Sequence, residues 1–147
     1  METKLNSIDA THLQDLTNRE QLDDWLARMN LRAAGADEYW SYVAGFTVSA
    51  ALQAINLQPN RNKTGPNDRV ALLVSALSSF DKLEELAAGI DSACSPEHVR
   101  GKTQVQEIIG YWQEGSPEHF ARQYQHYMHL TAQKILAIVA PSPEPIG

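Results

Sequence analysis

Between Tyr39 and Asn60 the chain reads YWSYVAGFTVSAALQAINLQPN, 22 residues without one charged side chain. A helix that is apolar nearly all round has no stripe to offer water. In a soluble domain it therefore belongs at the centre of a bundle, or half in a core and half against a partner. Ser41, Thr47, Ser49, Gln53 and Asn56 are spread along the stretch and make it too polar for a membrane span, and the sequence holds no second candidate. Ala44, Gly45, Ser49, Ala50, Ala51 and Ala54 are small enough to let neighbouring helices approach closely. Asp37 can cap the start, so the reading is a central helix over about 37–57.

The remaining segments supply faces that can surround such a helix. Thr17-Asn-Arg-Glu20 has the form of a capping box, and Leu22, Trp25, Leu26, Met29 and Ala33 follow at helical spacing until Gly35. Pro59 to Asp68, PNRNKTGPND, is dense in turn formers and reads as the longest loop. It carries Arg61 and Lys63, candidate binding residues on the principle that function sits on loops held by a scaffold.

Asn67 or Asp68 then caps a helix with Val70, Leu73, Val74 and Leu77 on one face. The phase changes at Ser78-Ser79, which predicts a break, with Asp81-Lys-Leu-Glu84 restarting the helix and Gly89-Ile90 resembling a Schellman stop. The tetrapeptide SPEH opens two further helices, at Ser95 and at Ser116. Ser as cap, Pro in the first turn and Glu beside the free amides explain the recurrence without a duplication. The first runs to about Glu114, stopped by Gly115, with His98, Val105 and Trp112 falling together beside Ile108 and Ile109. The second runs from Pro117 to Val139, where Pro141 prevents continuation, with Phe120, Tyr124, Tyr127, Thr131, Ile135 and Ile138 as its inner stripe.

The fold class is therefore all-α: a single-domain helical bundle of five to seven helices around the uncharged one. Residues 1–10 form a frayed N-terminus, 11–140 the domain and 141–147 an extended proline-rich tail. A chain of 147 residues can bury roughly 70% of the surface its unfolded form exposes, enough for one core. The one cysteine, Cys94, excludes an internal disulfide and any multi-cysteine zinc site, and fits a reducing compartment. The first residues contain no basic segment followed by an apolar run, so no secretory signal is expected and the location read from the sequence is cytoplasmic. A net charge of −6 argues against binding nucleic acid through its phosphates, which needs clustered Lys and Arg, and suits a basic protein partner. Acids concentrate early, with eight against four bases in residues 1–40.

Advancing 100° per residue along the last helix places His119, Arg122, His126, His129 and Gln133 on one face, opposite its aromatic stripe. Histidines in such a group can bind metal or move protons near neutral pH. No HExxH or Glu-x-x-His pairing accompanies them, so no metal and no cofactor is expected. The segment RQYQHYMH, with Arg122 and His129 six residues apart, resembles the Arg-x(4 to 6)-His element of the HEPN family of helical ribonucleases and toxin components. It lacks the polar residue most favoured after the arginine in that family. The resemblance implies that Arg122 would stabilise phosphate charge while His129, with His126 beside it, served as acid or base.

Against that alternative stands the reading preferred from the sequence: a small acidic accessory protein of the adaptor, immunity or secretion-accessory type, acting through protein contacts, with a homodimer among its arrangements. Tyr, Trp and Arg most often anchor interfaces, and Trp40, Tyr42 and Tyr111 are the aromatic residues expected to face outward. Trp40 and Tyr111, with Arg61, Lys63, His119, Arg122, His126 and His129, make up the candidate binding residues. There is no Walker loop, no dinucleotide fingerprint and no Gly-x-Ser-x-Gly elbow.

Overall fold

The computed structural model describes residues 8–9, 38–59 and 66–140. The expected helices before Gly35, the loop residues Arg61 and Lys63, and the tail 141–147 lie outside the described residues. Five helices pack together around one hydrophobic cluster: α1 (Glu38–Asn56), α2 (Pro66–Ser78), α3 (Phe80–Ala88), α4 (Pro96–Ile109), which continues into a π-helical turn over Gly110–Gly115, and α5 (Glu118–Ile138). Among the described residues no helix is long and apolar enough to cross a membrane.

The absence of charge in α1 is matched by its burial. Thr47, Val48, Ala51, Leu52, Ala54 and Ile55 are all shielded from solvent, and α1 touches each of the other four helices. Full burial of a Val, Leu or Ile side chain is worth about 1.5–3 kcal/mol, so these turns contribute heavily to the fold. Close approach depends on small residues on the partners as well. A Cβ added to Gly101 of α4 would sit 2.5 Å from Leu57 Cδ1, just past the end of α1. At that same end Asn56 accepts a hydrogen bond from the buried guanidinium of Arg69 on α2, a cation at the negative end of the α1 dipole.

The break at Ser78-Ser79 is present, and its cap lies two residues earlier than the sequence pattern suggests. Ser79 is extended (φ −157°, ψ 135°), and its Oγ accepts from the Asp81 amide at 3.1 Å, so Ser79 rather than Asp81 caps α3. Gly89 does not take the left-handed conformation of a Schellman stop, since its φ is −76°. It is small for a different reason. Gln58 Nε2 donates to Ala54 O at 3.0 Å and to Leu86 O at 2.8 Å, tying the end of α1 to the end of α3, and a Cβ on Gly89 would come within 2.2 Å of Gln58 Oε1.

The two SPEH segments differ in use. Ser95 caps α4, accepting from the His98 amide at 3.2 Å and meeting His98 Nδ1 at 2.7 Å. Ser116 turns its hydroxyl back to Trp112 O at 3.0 Å, and the regular helix starts at Glu118. Phe120, expected on the inner stripe of α5, is 44% exposed and stacks against His119. It lies in the first turn, and burial begins at Tyr124 and continues through Met128, Thr131, Ala132 and Ile135. After Ile138 the backbone becomes extended, as the residue before Pro141 must, and Val139–Ala140 pairs in parallel with Ile8–Asp9. Ile8–Asp9 lies in the stretch expected to be frayed, while Val139 is expected from the sequence as the last helical residue.

Candidate functional site

Two Tyr-Trp dipeptides, at 39–40 and 111–112, meet across the top of the bundle. In each the tryptophan is buried and the tyrosine exposed: Trp40 and Trp112 lie with ring centres 5.5 Å apart, while Tyr39 is 54% and Tyr111 57% accessible. Neighbouring residues on a helix point about 100° apart, so one member can enter the core while the other stays at its boundary. Each tyrosine rests edge-on against its own tryptophan, at 5.1 Å for Tyr39 and 4.8 Å for Tyr111.

Below them the rings continue inward. Trp40 stacks on Tyr127 at 5.1 Å, Trp112 on Tyr124 at 4.7 Å and Tyr124 on Phe80 at 5.6 Å. Tyr124 is buried, and its hydroxyl lies 3.2 Å from Thr47 Oγ1, which itself donates to Val43 O at 3.0 Å. With that proton committed, the neutral phenol donates to Thr47. Burial pushes the Tyr124 pKa up to about 12, and the Thr47 hydroxyl, able to turn toward a phenolate, pulls it part of the way back.

Over this aromatic floor lies a groove of about 350 Å³ between the first three turns of α1 and the far end of α4 with its π-helical turn. Tyr39, Tyr42, Phe46, Tyr111 and Trp112 line it together with Val43, Thr47, Ile108, Gln104 and Glu107. Tyr42 at the rim is 62% exposed. Helices rarely adopt π winding, and where they do it is often at functional sites. Here the wider turn carries Tyr111 and Trp112 into the groove.

Trp40, expected to face outward, is 5% exposed, and the side of α1 bearing Ala44, Thr47 and Ala51 is buried with it. The indole has more apolar surface to bury than the phenol beside it, and Tyr39 keeps the hydroxyl wet. Tyr42 and Tyr111 are on the surface and line the groove. His119, Arg122, His126 and His129 are exposed on α5 and none of them lines it. His126 meets the edge of Tyr127 at 5.2 Å, so its contact is with the outer side of the aromatic cluster. Among the described residues no three His, Cys, Asp or Glu side chains converge as a metal site would require. Cys94 is exposed, yet desolvation, followed by the charge and hydrogen bond of Asp91, pushes its thiol pKa up and favours the unreactive form.

Tyr39, Phe46, Gln104 and Glu107 are groove residues that the sequence reading did not single out. The repeated Tyr-Trp dipeptide was the available signal for the first. Comparisons with protein families, with curated proteins and with solved structures find no match for this chain.

Proposed function

We propose that this chain is a small acidic binding or accessory protein, of the adaptor, immunity or secretion-accessory kind, that acts in the cytoplasm through protein contacts made at the tyrosine-lined groove. One observation carries the reading: three exposed tyrosines stand around an apolar groove of about 350 Å³ whose floor is fixed by stacked rings. Tyrosine offers large contact area with two side-chain torsions, so little entropy is lost on binding, and hot spots concentrate in such aromatic pockets. In the same reading α1 is the centre of a bundle of five to seven helices, supported by its contacts with α2, α3, α4 and α5. The net charge of −6 favours a basic partner over nucleic acid or an anionic membrane surface.

The test compares the tagged wild-type chain with Tyr42→Ala/Tyr111→Ala and with His126→Ala/His129→Ala, in capture from native cells and in sedimentation of the purified proteins. A protein held by the wild type and the histidine variant and lost by the tyrosine variant supports the reading, as does a wild-type dimer that the tyrosine changes dissociate. Equal capture and equal sedimentation of all three proteins would overturn it, and so would RNA cleavage by the wild type that the histidine variant loses.

A further inference from the structure

We propose that the groove between α1 and α4 receives the guanidinium side chain of an arginine presented by a partner protein. This rests on the protein-contact reading and names the chemistry of that contact. Glu107 is the one formally charged side chain among the described residues lining the groove, and it is exposed; no Lys, Arg or His joins it. The remaining walls are mostly aromatic, from Tyr39, Tyr42, Phe46, Tyr111 and Trp112. The face of an aromatic ring carries the negative lobe of its quadrupole, so ring faces and the Glu107 carboxylate act in the same sense on a ligand: they attract a cation and repel an anion.

Three properties select arginine among cations. A guanidinium is planar and weakly hydrated, so it stacks on ring faces at smaller desolvation cost than an ammonium. Its fork of donors can engage a carboxylate with two hydrogen bonds, and Gln104 supplies a further acceptor from the same helix. Its apolar stem needs walls of the kind that Val43, Phe46 and Ile108 provide. At the floor Thr47 is already hydrogen-bonded to Val43 O and Tyr124, so the recognising charge lies at the Glu107 side. The acidic balance of the whole chain assists the approach of a basic partner.

The experiment titrates acetyl-arginine methylamide, and separately its neutral isostere acetyl-citrulline methylamide, into the full-length chain followed by heteronuclear NMR. The expected result is saturable shifts at the Trp112 indole N–H and the Gln104 side-chain amide, with arginine about fivefold tighter than citrulline. Glu107→Gln narrows that preference and Tyr111→Leu narrows it further. Both sites are exposed, and unchanged spectra elsewhere establish that the variants are folded. Equal affinity for the two ligands, or no saturable shift at those nuclei, overturns the proposal. If arginine and citrulline bind alike while capture still depends on Tyr42 and Tyr111, the cation proposal falls and the contact reading stands. If arginine is preferred but capture ignores the tyrosines, the contact reading falls and takes a protein-borne arginine with it.

Discussion

Tyr124→Phe isolates one hydroxyl and predicts a pH dependence of definite sign. The phenol is buried, and its pKa rises from 10.0 to about 12 in the folded chain. Because the folded value is the higher one, the wild type keeps the associated stability below pH 10 and loses it as pH climbs through 12. Two units correspond to about 2.7 kcal/mol lost in full, of which about 1.4 kcal/mol is gone by pH 11. At neutral pH the substitution deletes the hydrogen bond to Thr47 but leaves Thr47 Oγ1 donating to Val43 O, so no buried donor is orphaned and the cost is about 1 kcal/mol. Phenylalanine cannot ionise, so the variant is less stable than the wild type at pH 7, and the two converge near pH 11. Urea unfolding of both proteins at pH 7, 9, 10 and 11 measures the difference directly, since other titrating groups cancel in the subtraction. Tyrosinate absorbance should show a late step in the wild type that the variant lacks. A stability difference at pH 11 equal to that at pH 7 would refute the account of Tyr124 as a desolvated phenol.

Two further substitutions test the fold itself. Leu52→Ala on α1 removes a fully buried side chain and should destabilise by about 2–5 kcal/mol in denaturant unfolding, whereas a cost below about 1 kcal/mol would mean that this side of α1 is not packed. Ser95→Ala deletes the cap on α4 and should cost about 1 kcal/mol, with faster amide exchange in the first turn of α4 and unchanged exchange in α3, which Ser79 caps independently.

How far the sequence discloses this structure depends on how local the cause is. The segments α1 to α5 are legible because capping residues, prolines and apolar spacing act within one turn of where they stand: Ser95 with Pro96 starts α4, and Leu73 with Leu77 faces the core. Glycine misleads, because one residue type serves two purposes. Gly89 looks like a left-handed stop and is in fact a gap for Gln58, a contact made by a residue 31 positions away. The groove is hardest to read. Both of its walls are helical faces, and the spacing correctly puts Trp112 with Val105, Ile108 and Ile109 and leaves Tyr111 outside, but nothing in it signals the π winding of that turn. At the other pair the spacing does not disclose that Trp40 turns inward while Tyr39 stays outside. Trp40 is expected outside, whereas its stack on Tyr127 and its tilted contact with Trp112 join three separate helical segments and hold it inside.

That stack also bears on which face of the molecule is suited to recognition. On α5, His119 and His126 rest against Phe120 and Tyr127, but a partner binding there would still have to immobilise the exposed Arg122, at about 0.5–1.5 kcal/mol for a rotamer-rich side chain. Two of the groove tyrosines, Tyr39 and Tyr111, have lost part of that freedom before any partner arrives. Tyr39 is braced by Trp40 and Tyr111 by Trp112, and both tryptophans are fixed in turn by stacking on α5. Affinity depends on what ordering remains to be done as well as on the area covered, so under the proposed reading the braced tyrosines lower the cost of binding at the groove. If the groove is the contact surface proposed above, loosening its floor weakens recognition without altering a groove wall, and Tyr124→Phe, buried beneath Trp112, should then lower partner capture as well as stability.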